Sequence, residues 1–376
     1  VDTTVISKNW TKANGSRDNI LKSIKQKREI EISEFGTVIK VRHNFILPEK
    51  LMLKFGLDRF SFIRRFFTFL YKLLSFYIPF FDQHKYIYKE AHQLLKENKY
   101  DAVITTGEPN ILFKYGYKLK RKHGIIWIAD YRDGWYLDHV ATLNRSFFFK
   151  IIRTSEYQLE KKYMSKADLI SSVDPLLVKN LQKLHDRDSI CIYNGFWDFY
   201  PSSEGNQSTK LILTHTGTLT PGQRVEFLLE SVHELIEEGL IHPNEIELRF
   251  IGIEYFAQQT ERILSCSKLL ESVIITTPRV SKEEAVSYNL NSDYLISLTE
   301  EDYKAIYAKT YNYLACKKKI LVIPDDHSIL GELILKHDLG FVFETKNELK
   351  SFICKQIAKK QNGELLSHWE GEKNLS

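Results

Sequence analysis

The sequence predicts an α/β protein of two Rossmann-like domains whose parallel sheets face a central cleft. Three observations predict it. The chain has 376 residues, too many for one ordinary core and suited to two domains of roughly 150 to 200 residues. Short apolar runs alternate with helical patterns, the signature of βα units feeding a parallel sheet. A polar, unpatterned stretch at 201–208 divides that alternation into two series.

In the first series strands are expected at 3–7, 38–42, 102–106, 125–129, 169–173 and 190–193, with helices such as 86–98 and 147–164 among them. In the second they are expected at 211–215, 247–251, 272–276, 294–298, 320–323 and 340–343, and helices at 225–238, 282–290, 309–315 and 330–336. The boundary therefore falls between an N-terminal domain, 1–200, and a C-terminal domain, 201–376, whose last helix is expected to pack back on the first domain. Ligands of such sheets bind outside the carboxyl ends of the strands.

Composition narrows the function classes. Hydrophobic residues at 43% and charged residues at 27% are globular values. Four cysteines, Cys191, Cys266, Cys316 and Cys354, form no close pair and have no histidine at metal-ligand spacing. They read as reduced thiols of a cytoplasmic protein, with no structural zinc. No apolar window reaches the length of a membrane-crossing helix. The net charge of +5 is matched by residues 50–85 alone, where seven basic residues face two acidic ones. With the rest of the chain balanced, a nucleic-acid-binding surface is not expected.

Several constellations carry chemistry. The strand at 211–215 runs into Thr216-Gly217-Thr218-Leu219-Thr220-Pro221-Gly222-Gln223-Arg224 and then a helix. A glycine turn at a helix start offers amide groups and a positive dipole end to a phosphate, and Arg224 adds a charged fork, although a plain strand-to-helix turn needs the same glycine. Lys309 and Asn312 open a later helix that leads into a buried strand. A lysine there pairs with phosphate and an amide bonds ribose hydroxyls, or both are simply solvated. Asp130, Arg132 and Asp133 directly follow an apolar run. They either fix their loop as an ion pair or meet an acceptor hydroxyl and a departing diphosphate. Asp186-Arg187-Asp188 precedes a strand and so sits at the wrong end of the sheet for a catalytic metal; no metal site is expected.

Residues 60–81 hold ten aromatics. Their polar companions, including Arg64, Arg65 and Lys72, recur every three or four residues along one stripe of a helix. That pattern suits an anionic membrane surface, and it equally suits a helix packed between the first sheet and a loop.

Taken together and in order, these segments resemble glycosyltransferase family 4 and related GT-B glycosyltransferases. The segments that carry the resemblance are His215-Thr216-Gly217-Thr218-Leu219, Leu248-Arg249-Phe250-Ile251-Gly252, Arg279-Val280-Ser281-Lys282, the run 309–324, and Trp127-Ile128-Ala129-Asp130-Tyr131-Arg132-Asp133-Gly134-Trp135. The resemblance implies a nucleotide diphosphate sugar as co-substrate and no other cofactor. It puts diphosphate near Gly217, Thr218, Arg224 and Lys309, base near Arg279 and Val280, and ribose near Asn312. It implies retaining, metal-independent transfer to a saccharide or lipid-linked saccharide, in cell-surface polysaccharide or glycolipid synthesis at the inner membrane face. Two features depart from the family. Asn312 stands where members usually carry Glu, with Lys304 where another Glu is expected, and the family's first strand and glycine-rich loop have no counterpart ahead of 3–7. A nucleotide-sugar epimerase and a sugar-nucleotide- or partner-binding protein without turnover are the rival readings.

Overall fold

The computed structural model describes residues 2–9, 24–25, 27–56, 59–78, 81–137, 147–196, 198–200, 208–253, 257–301, 306–364 and 366. The chain divides into two compact units, Val1–Tyr193 and Asn194–Ser376. The expected linker lies almost wholly at 201–207, outside the described residues, as does Lys304.

The first unit holds two sheets. In one, β1 (Thr4–Lys8) runs parallel to β3 (Gly36–Val41), and β2 (Glu29–Ser33) pairs antiparallel on the other edge of β3. The other is a parallel sheet in the order β4 (Ala102–Thr106), β5 (Ile126–Tyr131), β6 (Leu169–Ser172), β7 (Ser189–Cys191). Helices α1 (Leu47–Phe55), α2 (Ser61–Ser75), α3 (Lys85–Glu97), α4 (Ile111–His123), α5 (Phe147–Met164) and α6 (Pro175–His185) complete it. The sequence reading did not anticipate β2. Its glutamates look like a solvated turn, and the strand is indeed an edge, with Ile30 and Ile32 exposed.

The buried Trp127 explains how closely α4 packs on the sheet. Its indole N–H donates to Thr105 Oγ1 on the neighbouring strand at 2.8 Å. A Cβ on Gly116 would lie 2.1 Å from that same ring nitrogen. A mid-helix glycine, about 1 kcal/mol poorer than alanine, is therefore required by the contact. Behind β5 the fully buried Glu160 accepts from Tyr131 Oη at 2.9 Å and from the Tyr136 amide at 2.7 Å, with His185 Nε2 at 3.1 Å. That carboxylate anchors the loop that follows β5.

Helix α2 is shorter than the aromatic segment, and its polar stripe is split between exposed and covered positions. Ser75 is buried, Arg64 and Thr68 are half-buried, and only the backbone of Lys72 is described. Ser61 and Arg65 of the stripe are exposed, together with Phe62, Ile63 and Phe66. Among the described residues no helix is long and apolar enough to cross a membrane.

The second unit is one six-stranded parallel sheet in the order β10 (Ile274–Thr277), β9 (Ile246–Ile251), β8 (Leu211–Thr216), β11 (Tyr294–Leu298), β12 (Ile320–Ile323), β13 (Gly340–Val342). Its helices are α7 (Val225–Glu237), α8 (Ala257–Leu264), α9 (Lys282–Leu290), α10 (Ala308–Ala315), α11 (Ile329–Lys336) and α12 (Lys346–Gln361). Every residue of β8, β11 and β12 is buried. A parallel strand covered on both faces reads as a continuous apolar run, which is why these three were legible. One face packs on Leu228, Val232, Leu349 and Ile353 of α7 and α12, the other on Tyr313, Leu314, Leu330 and Ile334 of α10 and α11. Each fully buried Leu or Ile contributes about 1.5 to 3 kcal/mol. The helix α12 thus docks inside its own unit, where Lys350 bridges Glu234 of α7 and Glu238 at its C-cap.

Candidate functional site

From β8 the chain adds β9 and β10 on one side, then crosses to place β11 on the other. This is the doubly wound order whose switch point, between the first and fourth strands, opens a ligand crevice at the carboxyl ends. Here the crevice lies between β8 and β11. Their pairing joins Leu213 to Tyr294 and Thr214 to Leu295 and stops there. Beyond it, side chains take over from the ladder. Tyr313 Oη accepts from the Thr216 amide at 2.9 Å and reaches the Ile296 carbonyl at 3.4 Å. His215 Nδ1 faces the Ile296 carbonyl at 3.3 Å.

A carbonyl only accepts, so His215 is assigned as the neutral Nδ1–H tautomer, leaving Nε2 as an acceptor. Lys309 Nζ stands 3.1 Å from that nitrogen. Burial, and then the Lys309 charge, hold the His215 pKa well below the usual imidazole range. Burial also pushes the half-buried Lys309 down to about 7, against the opposing pull of Glu300. The lysine is thus aimed into the switch point by its position at the second residue of α10.

Arg224 caps α7 and lies across the same edge. Its amide donates to the Thr299 carbonyl at 3.2 Å, after β11, and its guanidinium reaches the Asp325 carbonyl at 3.5 Å, after β12. The Arg224 Nε is buried with no hydrogen-bond partner among the described residues, a donor poised for an anion.

The loop itself behaves differently from the expectation of free amides. Gly217 N donates to the Ile251 carbonyl at 2.8 Å, Thr220 N to Gln223 Oε1 at 3.0 Å, and Gln223 N to the Thr220 carbonyl at 3.2 Å. An anion here meets side chains and the exposed Thr218 more than an amide cradle. Gly217 is required for its backbone, at φ +91°. Three strand ends lie close together here, with Gly252, after β9, beside Gly217 and Arg279. Arg279 is exposed and Val280 half-buried just after β10, ahead of the Ser281–Glu284 capping box of α9. Asn312 is exposed three residues after Lys309 and shares its helical face.

All seven donor-side residues named from sequence therefore lie along the carboxyl edge of one sheet. His215, Tyr313 and Glu300 complete the site and were given no role from sequence. A histidine inside an apolar run was the available signal for the first. Glu300 accepts from Thr220 Oγ1, and a Cβ on Gly222 would come within 2.8 Å of its Oε2.

In the first unit Asp130 lies at the carboxyl end of β5, 9% exposed. Its Oδ1 accepts from Ser171 Oγ at 2.9 Å, and its Oδ2 pairs with Arg132 Nε at 3.1 Å. The ion pair considered from sequence thus exists. Arg132 and Asp133 are exposed. Residues 186–188 lie between α6 and β7, ahead of the strand, as expected.

Solved structures share this architecture. Sucrose-phosphate synthase from Thermosynechococcus elongatus matches with a TM-score of 0.57 over 95% of this chain and 80% of that one, at 12% identity. The chain has the GT-B fold. HepE from Anabaena, in complex with UDP, matches at 0.51 over 73% of each chain and 13% identity. TarM from S. aureus, whose complex includes UDP, matches at 0.51 over 72% of this chain and 12% identity; the match spans 51% of TarM's length. No family model matches the chain, and no curated protein does.

Proposed function

We propose that the protein is a glycosyltransferase that moves a sugar from a nucleotide diphosphate sugar to a hydroxyl of a saccharide or lipid-linked saccharide. The observation that carries this reading is the convergence of Arg224 and Lys309 on the switch point of a doubly wound sheet. Two cations there match a diphosphate, and they stabilise the charge that develops as it leaves. Arg279 and Val280 take the base, Asn312 a ribose hydroxyl, and Asp130 with Arg132 and Asp133 the acceptor side. The UDP in the HepE and TarM complexes supports a uridine donor as the first to try. Retention of anomeric configuration, independence of metal, a place in cell-surface polysaccharide or glycolipid synthesis, and attachment to the inner membrane face belong to the same proposal.

Titration calorimetry with uridine, guanosine and cytidine diphosphates tests it. Arg224→Ala and Lys309→Ala should each weaken the best ligand by about 1.5 to 3 kcal/mol, the worth of one charge-assisted bond. Parent-like binding by both variants overturns the donor site. Release of free sugar from the donor separates a transferase from a protein that binds without turnover, the rival that Asn312 and Lys304 keep open.

A further inference from the structure

The first unit contains a second site, away from the sheet edges. A cavity of about 510 Å³ opens among α2, α3, α4 and α5, and five cations line it: Lys114, Lys118, Arg121, Lys122 and Lys162. No carboxylate is among the described residues that line it. Four of the cations fall at i, i+4, i+7 and i+8 on α4, which is one helical face.

Cations in a last helical turn suit the helix dipole, and that alone would account for Arg121 and Lys122. It does not account for Lys114, in the first turn of α4 and 4% exposed; Lys162, in the last turn of α5, adds a cation from a second helix. Lys114 Nζ donates one of its three N–H groups to the Ser75 carbonyl at 2.8 Å. Burial and then Lys118 push its pKa down to about 8, with Asp82 opposing and Lys162 adding to the fall. Like charges gathered at such a cost are relieved by an anion. Tyrosines supply neutral donors beside them, with Arg121 already 3.4 Å from Tyr117 Oη.

The surroundings indicate where the anion comes from. Phe76 and Tyr77, which line the cavity, directly follow α2, and Tyr77 and the adjacent Ile78 are exposed. Aromatic side chains beside a cationic recess match the interface of an anionic bilayer. We propose that this cavity binds the phosphate of an anionic lipid headgroup and so holds the protein on a membrane surface. The site deepens the membrane attachment proposed above and rests on that reading only for the source of its phosphate.

The test uses the full chain with vesicles of phosphatidylcholine alone or mixed with phosphatidylglycerol, and with inorganic pyrophosphate in solution. The variant is Arg121→Gln/Lys162→Gln, at two exposed positions, and the control is Lys179→Gln/Lys183→Gln, which removes equal charge from the exposed side of α6. The parent should sediment with the mixed vesicles, and the cavity variant should lose on the order of thirtyfold in partitioning with an unchanged melting temperature. The control should lose much less. Equal losses in variant and control overturn the site even if the membrane reading stands. If the parent sediments with neither vesicle, the lipid source is wrong. Saturable pyrophosphate binding lost in the cavity variant then supports a soluble phosphate ligand, and its absence overturns the site.

Discussion

Lys309 Nζ lies 3.1 Å from Nε2 of the fully buried His215, so the cation of the donor site rests on a neutral imidazole instead of a carboxylate. No charge on that partner secures the proton of the lysine. Burial lowers Lys309 to about 7, and a bound diphosphate would raise it again.

Nucleoside diphosphate affinity should therefore fall as pH rises from about 6 to 8, because the free protein loses the Lys309 charge in that window. Lys309→Met should bind weakly with a flatter pH profile. Stability runs the other way. The folded value lies below the unfolded lysine value of about 10.4, so the unfolded chain holds more protons between the two and stability gains from this group as pH rises from about 7 to 10. Lys309→Met should remove that rise. Calorimetric affinities and melting temperatures across pH check both signs.

Tyr313→Phe removes the hydroxyl that accepts from the Thr216 amide where β8 and β11 part. A buried amide is left without its partner, which costs about 1 to 3 kcal/mol. The denaturant midpoint should fall with an unchanged slope. Parent-like stability would show that the two strands close without this bridge.

In the sheet of the second unit β11 and β12 were legible because each is a buried apolar run. The edge strand 29–33 was not, because its pairing depends on β3 and its own residues alternate with charge. At the donor site the cations announced themselves, since Arg224 and Lys309 flank glycine and helix-start signals. His215 and Tyr313 did not. Their roles come from the separation of β8 and β11, which no local pattern encodes. On α2 the residues form a helix as the period predicts, but Arg65 is exposed while Arg64 is half-buried and Ser75 buried, because helical spacing groups a stripe without saying how much of it the rest of the unit covers.

Asn312→Glu tests what the amide does on the exposed face of α10. If the ribose site is merely weakened, the carboxylate should tighten nucleoside diphosphate binding by roughly 1 kcal/mol through a stronger acceptor. Weaker binding by calorimetry would mean that the pocket suits another donor.

Asp130→Asn keeps the shape of the side chain that meets Ser171 and Arg132, so its fold and nucleotide affinity should be preserved. If Asp130 acts on the acceptor hydroxyl, transfer should drop by about a hundredfold or more. Hydrolysis of donor by water should fall much less. Turnover equal to the parent's would leave the carboxylate with its Arg132 pair as a loop brace.

The last expectation concerns α2, where Phe62 is 82% and Phe66 56% exposed. Side chains this open add little to folding, so Phe62→Ser/Phe66→Ser should keep the parent melting temperature. At an interface each ring would bury surface worth about 1.5 to 3 kcal/mol, and losing both should cut partitioning into anionic vesicles more than tenfold. Arg65→Glu, also exposed, should weaken the preference for anionic over neutral vesicles without touching the fold. Arg64→Glu differs, because that side chain is half-buried and its reversal should lower the melting temperature. Sedimentation and melting on the same four proteins separate the outcomes. An aromatic variant that partitions like the parent would move the contact surface away from this helix.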